Sequence, residues 1–333
     1  MGLQLKAKES VREGIMRNVK REIEKTLGYL NAETKSRRRD RGENEAVHDV
    51  RKCFKKVRAA LRLVRGELGN EVYHEENFSF RDAARPLTEV RDAEMLVETW
   101  EKLREIAGES YVQIHEALLA NREDVSRRVL EGGKVISSVE RFAITALKRI
   151  PVWAIDHDGW EAIESGLRRV YRAGHRAHLL TERIPSMENL HEWRKQSKYL
   201  WHQLQLLESS WAPHEKDLGE QFHTLSTLLG DDHDLAVLRQ TLAADPLIFG
   251  GHRALKVPLH LLDRKRGQLE RKAFTLGRKL YKDAPKDFTS RIEAYWRVWR
   301  GEPSHTEILP KNLLVQRATP MRTLSTRVQR EIR

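Results

Sequence analysis

The sequence predicts an all-α fold, and three observations carry that expectation. Apolar residues recur at intervals of three and four along most of the chain, the spacing of one helix face. Met1 to Arg85 contains no proline, a longer run than most strand-rich folds tolerate. No stretch alternates apolar and polar residues over a convincing strand length.

The elements follow in order. Val11 to Leu30 reads as an amphipathic helix, with Ile15, Val19, Ile23 and Leu27 on one face. The segment NAETKSRRRDRGENEA is a charged connector. A second helix is expected from about Asn44 to Leu68, ending near Gly69. Arg81 to Leu103 is helical, with Pro86 near its start or at a kink. Ser110 to Leu130 and Lys134 to Arg149 continue the pattern. Pro151 and Gly159 interrupt it, which sets a boundary between two halves, about 1–150 and 160–300. Helical spacing resumes over Trp160 to Leu180, and Pro185 precedes a helix at Asn189 to Leu207. Pro213 precedes one that runs to Gly230. Further helices are expected at Asp231 to Ala243, Gly251 to Tyr281 and Phe288 to Trp299. Residues 301–333 hold three prolines and little periodicity, and read as a basic, flexible extension.

A chain of 333 residues suffices for one large domain or two ordinary ones. Its 61 Lys and Arg against 49 Asp and Glu give a net charge of +12. Such an excess favours an anionic partner: nucleic acid, polyphosphate or a membrane surface. Cys53 is the sole cysteine, which excludes an intramolecular disulfide and a CxxC zinc site and suits a reducing compartment. The N-terminal MGLQLKAKES lacks the apolar core of a leader, and no run approaches 18 apolar residues. A cytoplasmic chain with no membrane partner is expected.

The chain repeats itself. Val47-His48-Asp49-Val50-Arg51-Lys52 lies over Leu190-His191-Glu192-Trp193-Arg194-Lys195 at an offset of 143 residues, and Lys55 lies over Lys198. The apolar series Val47, Val50, Phe54, Val57, Leu61, Val64 matches Leu190, Trp193, Ser197, Leu200, Leu204, Leu207; only Ser197 is polar. At an offset of 142, Leu87-Thr88-Glu89-Val90-Arg91-Asp92-Ala93 resembles Leu229-Gly230-Asp231-Asp232-His233-Asp234-Leu235.

The repeated helix carries a basic stripe. At about 100° per residue, His48, Arg51, Lys55, Arg58 and Arg62 share a sector of roughly 80°, flanked by Lys52 and set about 120° from the apolar face. The second copy keeps His191, Arg194, Lys195 and Lys198, with Trp201 and Gln205 in place of Arg58 and Arg62. Like charges one turn apart cost a helix a few tenths of a kcal/mol per pair. A solvated face avoids that cost by mixing signs; a multivalent anion would offset it, with Arg presenting a fork and Lys a point charge. A plain solvated surface is the alternative for one such helix, and the repeated His-x-x-Arg-Lys-x-x-Lys pattern argues against it. Arg168, Arg172 and Arg176, spaced by four, extend the candidate set. Lys20 and Arg21 in the first helix and His202 in the second stripe helix are secondary candidates.

These motifs resemble the CHAD family, the conserved-histidine α-helical domain. Gly166-Leu-Arg-Arg-Val-Tyr-Arg172-Ala-Gly174 resembles its arginine-rich helix, Leu229-Gly-Asp-Asp-His-Asp234 its LG-x-x-x-D segment, and Leu276-Gly-Arg-Lys-Leu-Tyr-Lys282 with Pro285 and Phe288 its C-terminal signature. The resemblance spans about residues 10 to 300. It implies two four-helix bundles related by a pseudo-two-fold axis, with basic helices around a central channel. It implies binding of inorganic polyphosphate and association with polyphosphate granules, with the His, Arg and Lys of the two motifs as ligand contacts. Trp201 and Gln205 put equal contributions of the halves in doubt. The triphosphate tunnel domain of many relatives, with its Glu-x-Glu-x-Lys motif, has no counterpart here, so a stand-alone member is expected.

Three competing readings remain. Asp231, Asp232, His233 and Asp234 would suit a metal, but the first copy has Arg91 at the His position, so a helix cap or an ion pair to a basic helix is favoured and no metal or cofactor is expected. His48 or His191 would serve phosphoryl transfer as phosphohistidine or general acid; no GxxxxGK[ST] loop or acidic metal pair accompanies them, so a non-catalytic protein is expected. Nucleic acid would bind non-specifically, since no aromatic residues interleave with the first stripe and no known module is present.

Overall fold

The computed structural model describes residues 3–34, 43–107, 111–211 and 217–302. Among the described residues there are eleven α-helices and no strand. They are α1 (Val11–Thr34), α2 (Glu43–Leu63), α3 (Arg65–Ala84), α4 (Thr88–Ala107), α5 (Val112–Leu130), α6 (Lys134–Arg149), α7 (Glu161–Arg183), α8 (Met187–Leu206), α9 (Asp217–Ala244), α10 (Gly251–Leu280) and α11 (Pro285–Arg300). Residues 35–42 of the charged connector, Ser110, Pro213 and residues 303–333 of the C-terminal extension lie outside the described residues.

Two helices depart from expectation. The helix predicted over 44–68 ends at Leu63, and α3 carries on to Ala84. Gly69 does take the left-handed backbone of a terminus, φ 72°, but the chain resumes helix beyond it. The buried positions of α3 include Glu76 and Asn77 beside Leu68, Tyr73 and Phe80, so its apolar period is masked. Arg149 satisfies Glu76 through two hydrogen bonds of 2.8 and 3.1 Å, and Asn77 accepts from Arg58 Nε at 3.0 Å. Pro86 then sits in a 3-10 turn, Arg85–Leu87, between α3 and α4. In the second half α9 runs unbroken through Gly230 and Asp231, where two helices were expected. No helix begins at Asp231, which overturns the cap reading of that segment.

Two apolar cores hold the helices, and they do not divide along the halves. The larger joins Ile15 and Val19 of α1, Phe54 and Leu61 of α2, Ile163 of α7, Trp193 of α8 and Phe288 of α11. The smaller joins Trp100 of α4 and Leu118 of α5 to Leu238 of α9 and Leu262 of α10. Burying each such side chain contributes about 1.5–3 kcal/mol. The predicted apolar stripes of α2 and α8 are buried, including polar Ser197, which bonds the buried Tyr281 hydroxyl at 3.1 Å. In the first half Phe54 occupies the matching position, edge-on to Phe80 at 5.5 Å; in the second, Phe222 meets Tyr281 at 5.5 Å. The smaller serine thus leaves space that Tyr281 fills.

The halves touch at close quarters. A Cβ at Gly166 of α7 would fall 1.9 Å from the Leu63 carbonyl oxygen at the end of α2, so only glycine lets the two backbones approach there. α2 also packs on α8 and α4, and α4 on α9. This places the two basic helices against each other.

Candidate functional site

Burial of one face of α2 and one face of α8 fixes the roll of both helices about their axes. Their basic sectors are thereby turned to a common region that α4 and α9 also border. There Lys55 of α2 meets Lys198 of α8. Burial pushes the Lys55 ammonium down to about 7, and Lys198, Arg51, Arg194 and Arg91 push it further in the same direction. Lys198 is lowered to about 8 by burial, then by Arg194, with Lys52 and Arg91 adding and Asp234 opposing. Desolvation and like charge act in the same direction: the amine loses water and stands among other cations, and the nearby carboxylates do not offset both.

Two carboxylates border this cluster at repeat-related positions. Burial raises the Asp92 carboxyl against the pull of Arg51, Lys55, Arg91 and Arg194. Burial likewise raises Asp234 against Arg194 and Arg91. Asp92 and Asp234 thus face five cations, Arg51, Lys55, Arg91, Arg194 and Lys198, with Glu98 engaging Arg91 and Asp231 bearing on Arg194 from the border.

The two repeat-related arginines make different contacts. Arg51 Nη1 donates to the Ala84 carbonyl at 3.0 Å and to Thr88 Oγ1 at 2.7 Å. The counterpart of Thr88 is Gly230, and Arg194 lies against it: a Cβ there would sit 3.4 Å from Arg194 Nε. Nε of Arg51 and of Arg194 is buried without a hydrogen-bond partner. His48 lies at the rim, held below the usual histidine range by partial burial and by Arg91. His191 is lowered by partial burial, Arg194 and Lys195; its ring lies 4.7 Å from His233, the counterpart of Arg91. Burial, Arg194 and His191 push His233 down to about 4.

The remaining predicted residues are dispersed. Arg62 donates to the Arg58 carbonyl at 2.8 Å and lies 3.7 Å over the Tyr199 ring, a cation–π contact that ties α2 to α8. Lys52 is exposed, and Lys195 is ion-paired with Glu192. Arg168 pairs with Glu164 at 2.8 Å, while Arg172 and Arg176 lie on the exposed face of α7. Lys20 is 3.8 Å from Glu24; with Arg21 it borders a separate hollow near Trp299. His202 is a correction. It is buried, 1% exposed, its Nδ1 is 3.1 Å from Gln205 Oε1, and burial pushes it down to about 3. It is a core residue and leaves the candidate set.

The acidic segment of α9 splits three ways. Asp232 is buried and accepts from Arg266 of α10 at 2.9 Å, so the expected ion pair to a basic helix is made, with α10. His233 faces His191, and Asp234 faces Arg194. No group of three or more His, Cys, Asp or Glu among the described residues is placed to hold a metal ion.

Three arginines were not anticipated. Arg91 reaches the central cluster from α4, anchored by two 2.9 Å bonds to Glu98. Arg81 and Arg85 join Arg51, Lys55 and Arg58 around a hollow of about 470 Å³ floored by Phe54 and Phe80. The only sequence signal was their spacing of four residues just before Pro86, outside the repeated motif.

A model of the CHAD domain matches residues 21–243, more than half of the chain, and the chain belongs to the CHAD family. The C-terminal stretch from Leu276 lies beyond that match. Among solved structures, the chain is similar to the crystal structure of the CHAD domain from the plant Ricinus communis, at 14% identity and a TM-score of 0.49, covering 89% of this chain and 95% of that one. No curated protein matches in sequence. No helix among the described residues is long and apolar enough to cross a membrane.

Proposed function

We propose that the chain binds inorganic polyphosphate between α2 and α8, holds it without turning it over, and associates with polyphosphate granules where these form. One observation carries the reading: Lys55 and Lys198, from two copies of one motif, share a partly buried cluster with Arg51, Arg91 and Arg194. Asp92 and Asp234 are shared among these cations, with Glu98 on Arg91 and Asp231 near Arg194; a polyanion would add counter-charge beside the two desolvated lysines. The helix pairings support a duplicated architecture around that cluster. α1 packs on α2 and α6, and α4 on α5; α7 packs on α8 and α11, and α9 on α10; α2–α8 and α4–α9 join the two sets. We read the region between the basic helices as the channel, within a CHAD domain of residues 1–300.

Polyphosphate is favoured over single-stranded nucleic acid because Trp201, the aromatic residue of the second stripe, is already engaged by His202 at 4.4 Å and His223 at 4.2 Å, and the first stripe carries no aromatic residue on which a base would stack. In the unliganded fold both stripe histidines are held below the usual range, which disfavours the charged form that a general acid needs before substrate binds.

The test compares long-chain polyphosphate, orthophosphate at equal phosphate concentration, and DNA at matched salt. Linked contacts should make the polymer bind far more tightly than the monomer, with affinity falling steeply as salt is added. Lys55→Gln/Arg194→Gln/Lys198→Gln should lose at least about 100-fold in affinity, three charge-assisted contacts being removed, and keep its helix content. Reversing Arg317, Arg322, Arg327 and Arg330 to Glu is the control. Equal affinity for orthophosphate and polymer, or a larger loss in the control, would overturn the reading; phosphate release on incubation with magnesium would replace it with an enzyme.

A further inference from the structure

The repeat register extends beyond the motifs and exposes an asymmetry. At the offset of 142, Phe80 corresponds to Phe222, Arg81 to His223 and Arg85 to Thr227; at 143, Arg58 corresponds to Trp201. The same positions therefore border the central cluster on its outer side in both halves, with different chemistry.

In the first half they form the 470 Å³ hollow. Arg51 and Lys55 stand at its inner end and belong to the central cluster. Arg58, Arg81 and Arg85 complete it. Arg58 is partly buried, and Arg62 and Arg81 bear on it as like charges. Arg81 and Arg85 are exposed. The neighbouring acid is Asp82, which accepts from Arg81 at 2.9 and 3.1 Å and also feels Arg85 and Arg58. One carboxylate is thus shared among three arginines.

In the second half the indole of Trp201 stands where Arg58 stands, packed 4.2 Å from the ring of His223, the counterpart of Arg81. His202 stacks on Trp201 at 4.4 Å, Glu220 lies 3.6 Å from His223, and neutral Thr227 replaces Arg85. The volume that is open and cationic on one side holds a ring stack beside an acid on the other.

We propose that the anion site is one-sided: a polyphosphate chain filling the central cluster continues outward over Arg58, Arg81 and Arg85 of the first half only, and the Trp201–His223 stack closes the equivalent path in the second. This rests on the polyphosphate reading of the central cluster. The outer arginines offer forked donors to successive phosphates, and Asp82 competes with the chain for them. Chains too short to leave the central cluster do not reach this subsite.

The experiment uses the full chain with two probes, tripolyphosphate and long-chain polyphosphate, titrated at fixed ionic strength. Arg81→Gln/Arg85→Gln should weaken long-chain binding about tenfold and weaken tripolyphosphate binding no more than an equal loss of charge elsewhere on the surface does. Arg253→Gln/Lys256→Gln, an equal loss of exposed charge on α10, controls for net charge. Asp82→Asn should act in the opposite direction and tighten long-chain binding, a change that a folding defect would not produce. The subsite is overturned if the Arg81/Arg85 variant loses no more long-chain affinity than the α10 control, or if Asp82→Asn fails to tighten it, while the wild type binds the polymer well. Failure of the wild type to bind either probe would instead sink the functional reading itself.

Discussion

Arg51 and Arg194 occupy the same place in two copies of one motif, yet only Arg51 is committed to the fold. It bridges α2 to the start of α4 through the Ala84 carbonyl and Thr88. Arg194 lies against Gly230, where a threonine hydroxyl would otherwise stand. A repeated charge is therefore not a repeated contact: in the first copy the arginine ties α2 to the start of α4, and in the second it lies against Gly230 and faces Asp234. The outer positions reverse this order, with an open basic hollow in the first copy and a ring stack in the second.

The sharpest way to break this comparison is a pair of single variants. Arg194→Gln should lower polyphosphate affinity about tenfold, the loss of one strong charge-assisted contact. Its stability to urea should change less than that of the Arg51 variant, because relief of repulsion on Lys55 and Lys198 offsets the lost attraction to Asp92 and Asp234. Arg51→Gln should also weaken binding, and should cost about 1–2 kcal/mol of stability because two acceptors lose their donor. Equal urea midpoints and slopes for the two variants would show that the structural difference between the copies has no energetic consequence.

How far this was legible in the sequence depended on where the partners of each residue lie. The face of α2 could be read because its apolar and basic sectors sit on one helix, and α6 was placed at Lys134–Arg149 as observed. α3 was hidden because Glu76 and Asn77 occupy buried positions and are satisfied by arginines of α6 and α2. α9 was divided in two because Gly230 followed by Asp231 looks like a terminus. In fact Gly230 accommodates Arg194, and Arg266 neutralises the neighbouring Asp232. Arg81, Arg85 and Arg91 escaped notice because they approach the site from other helices, and no periodicity within one helix reports that. His202 was misplaced for the converse reason: its identity suggested a ligand, whereas packing buries it.

The central lysine pair gives the next largest effect, through pH. In the unliganded fold Lys55 releases its proton near pH 7, whereas a lysine in the unfolded chain holds it to about pH 10.4. Between those values the unfolded chain binds more protons, so stability should rise with pH across that window. Below it Lys55 is charged in both states and contributes no slope. Polyphosphate favours the charged amine, so affinity should fall over the same window as stability rises. Thermal melts and binding isotherms of the wild type and Lys55→Met, taken across the window, check both signs. The methionine variant should flatten both curves, and an unchanged slope in either would remove Lys55 from the cluster's response.

The smallest effect separates the two rims. His48 faces Arg91, which Glu98 already engages. His191 faces His233, and both are held below the usual range, with Arg194, Lys195 and Arg266 on the cationic side and Glu192 opposing. A bound polyphosphate chain would make the local potential negative and favour protonation of all three histidines. Two titrating rings face each other in the second copy and one in the first, so the second should take up more protons on binding. Affinity should therefore rise as pH falls through the histidine range, about 6.5 and below. His191→Gln should flatten this rise more than His48→Gln, and His233→Gln should resemble His191→Gln. Glutamine keeps a donor but cannot titrate, which separates proton uptake from hydrogen bonding. The measurement is polyphosphate affinity of the four proteins between about pH 5 and 7.5, at fixed ionic strength so that screening does not vary. If all four curves run parallel, the rims differ in shape alone and the stripe histidines act as neutral donors.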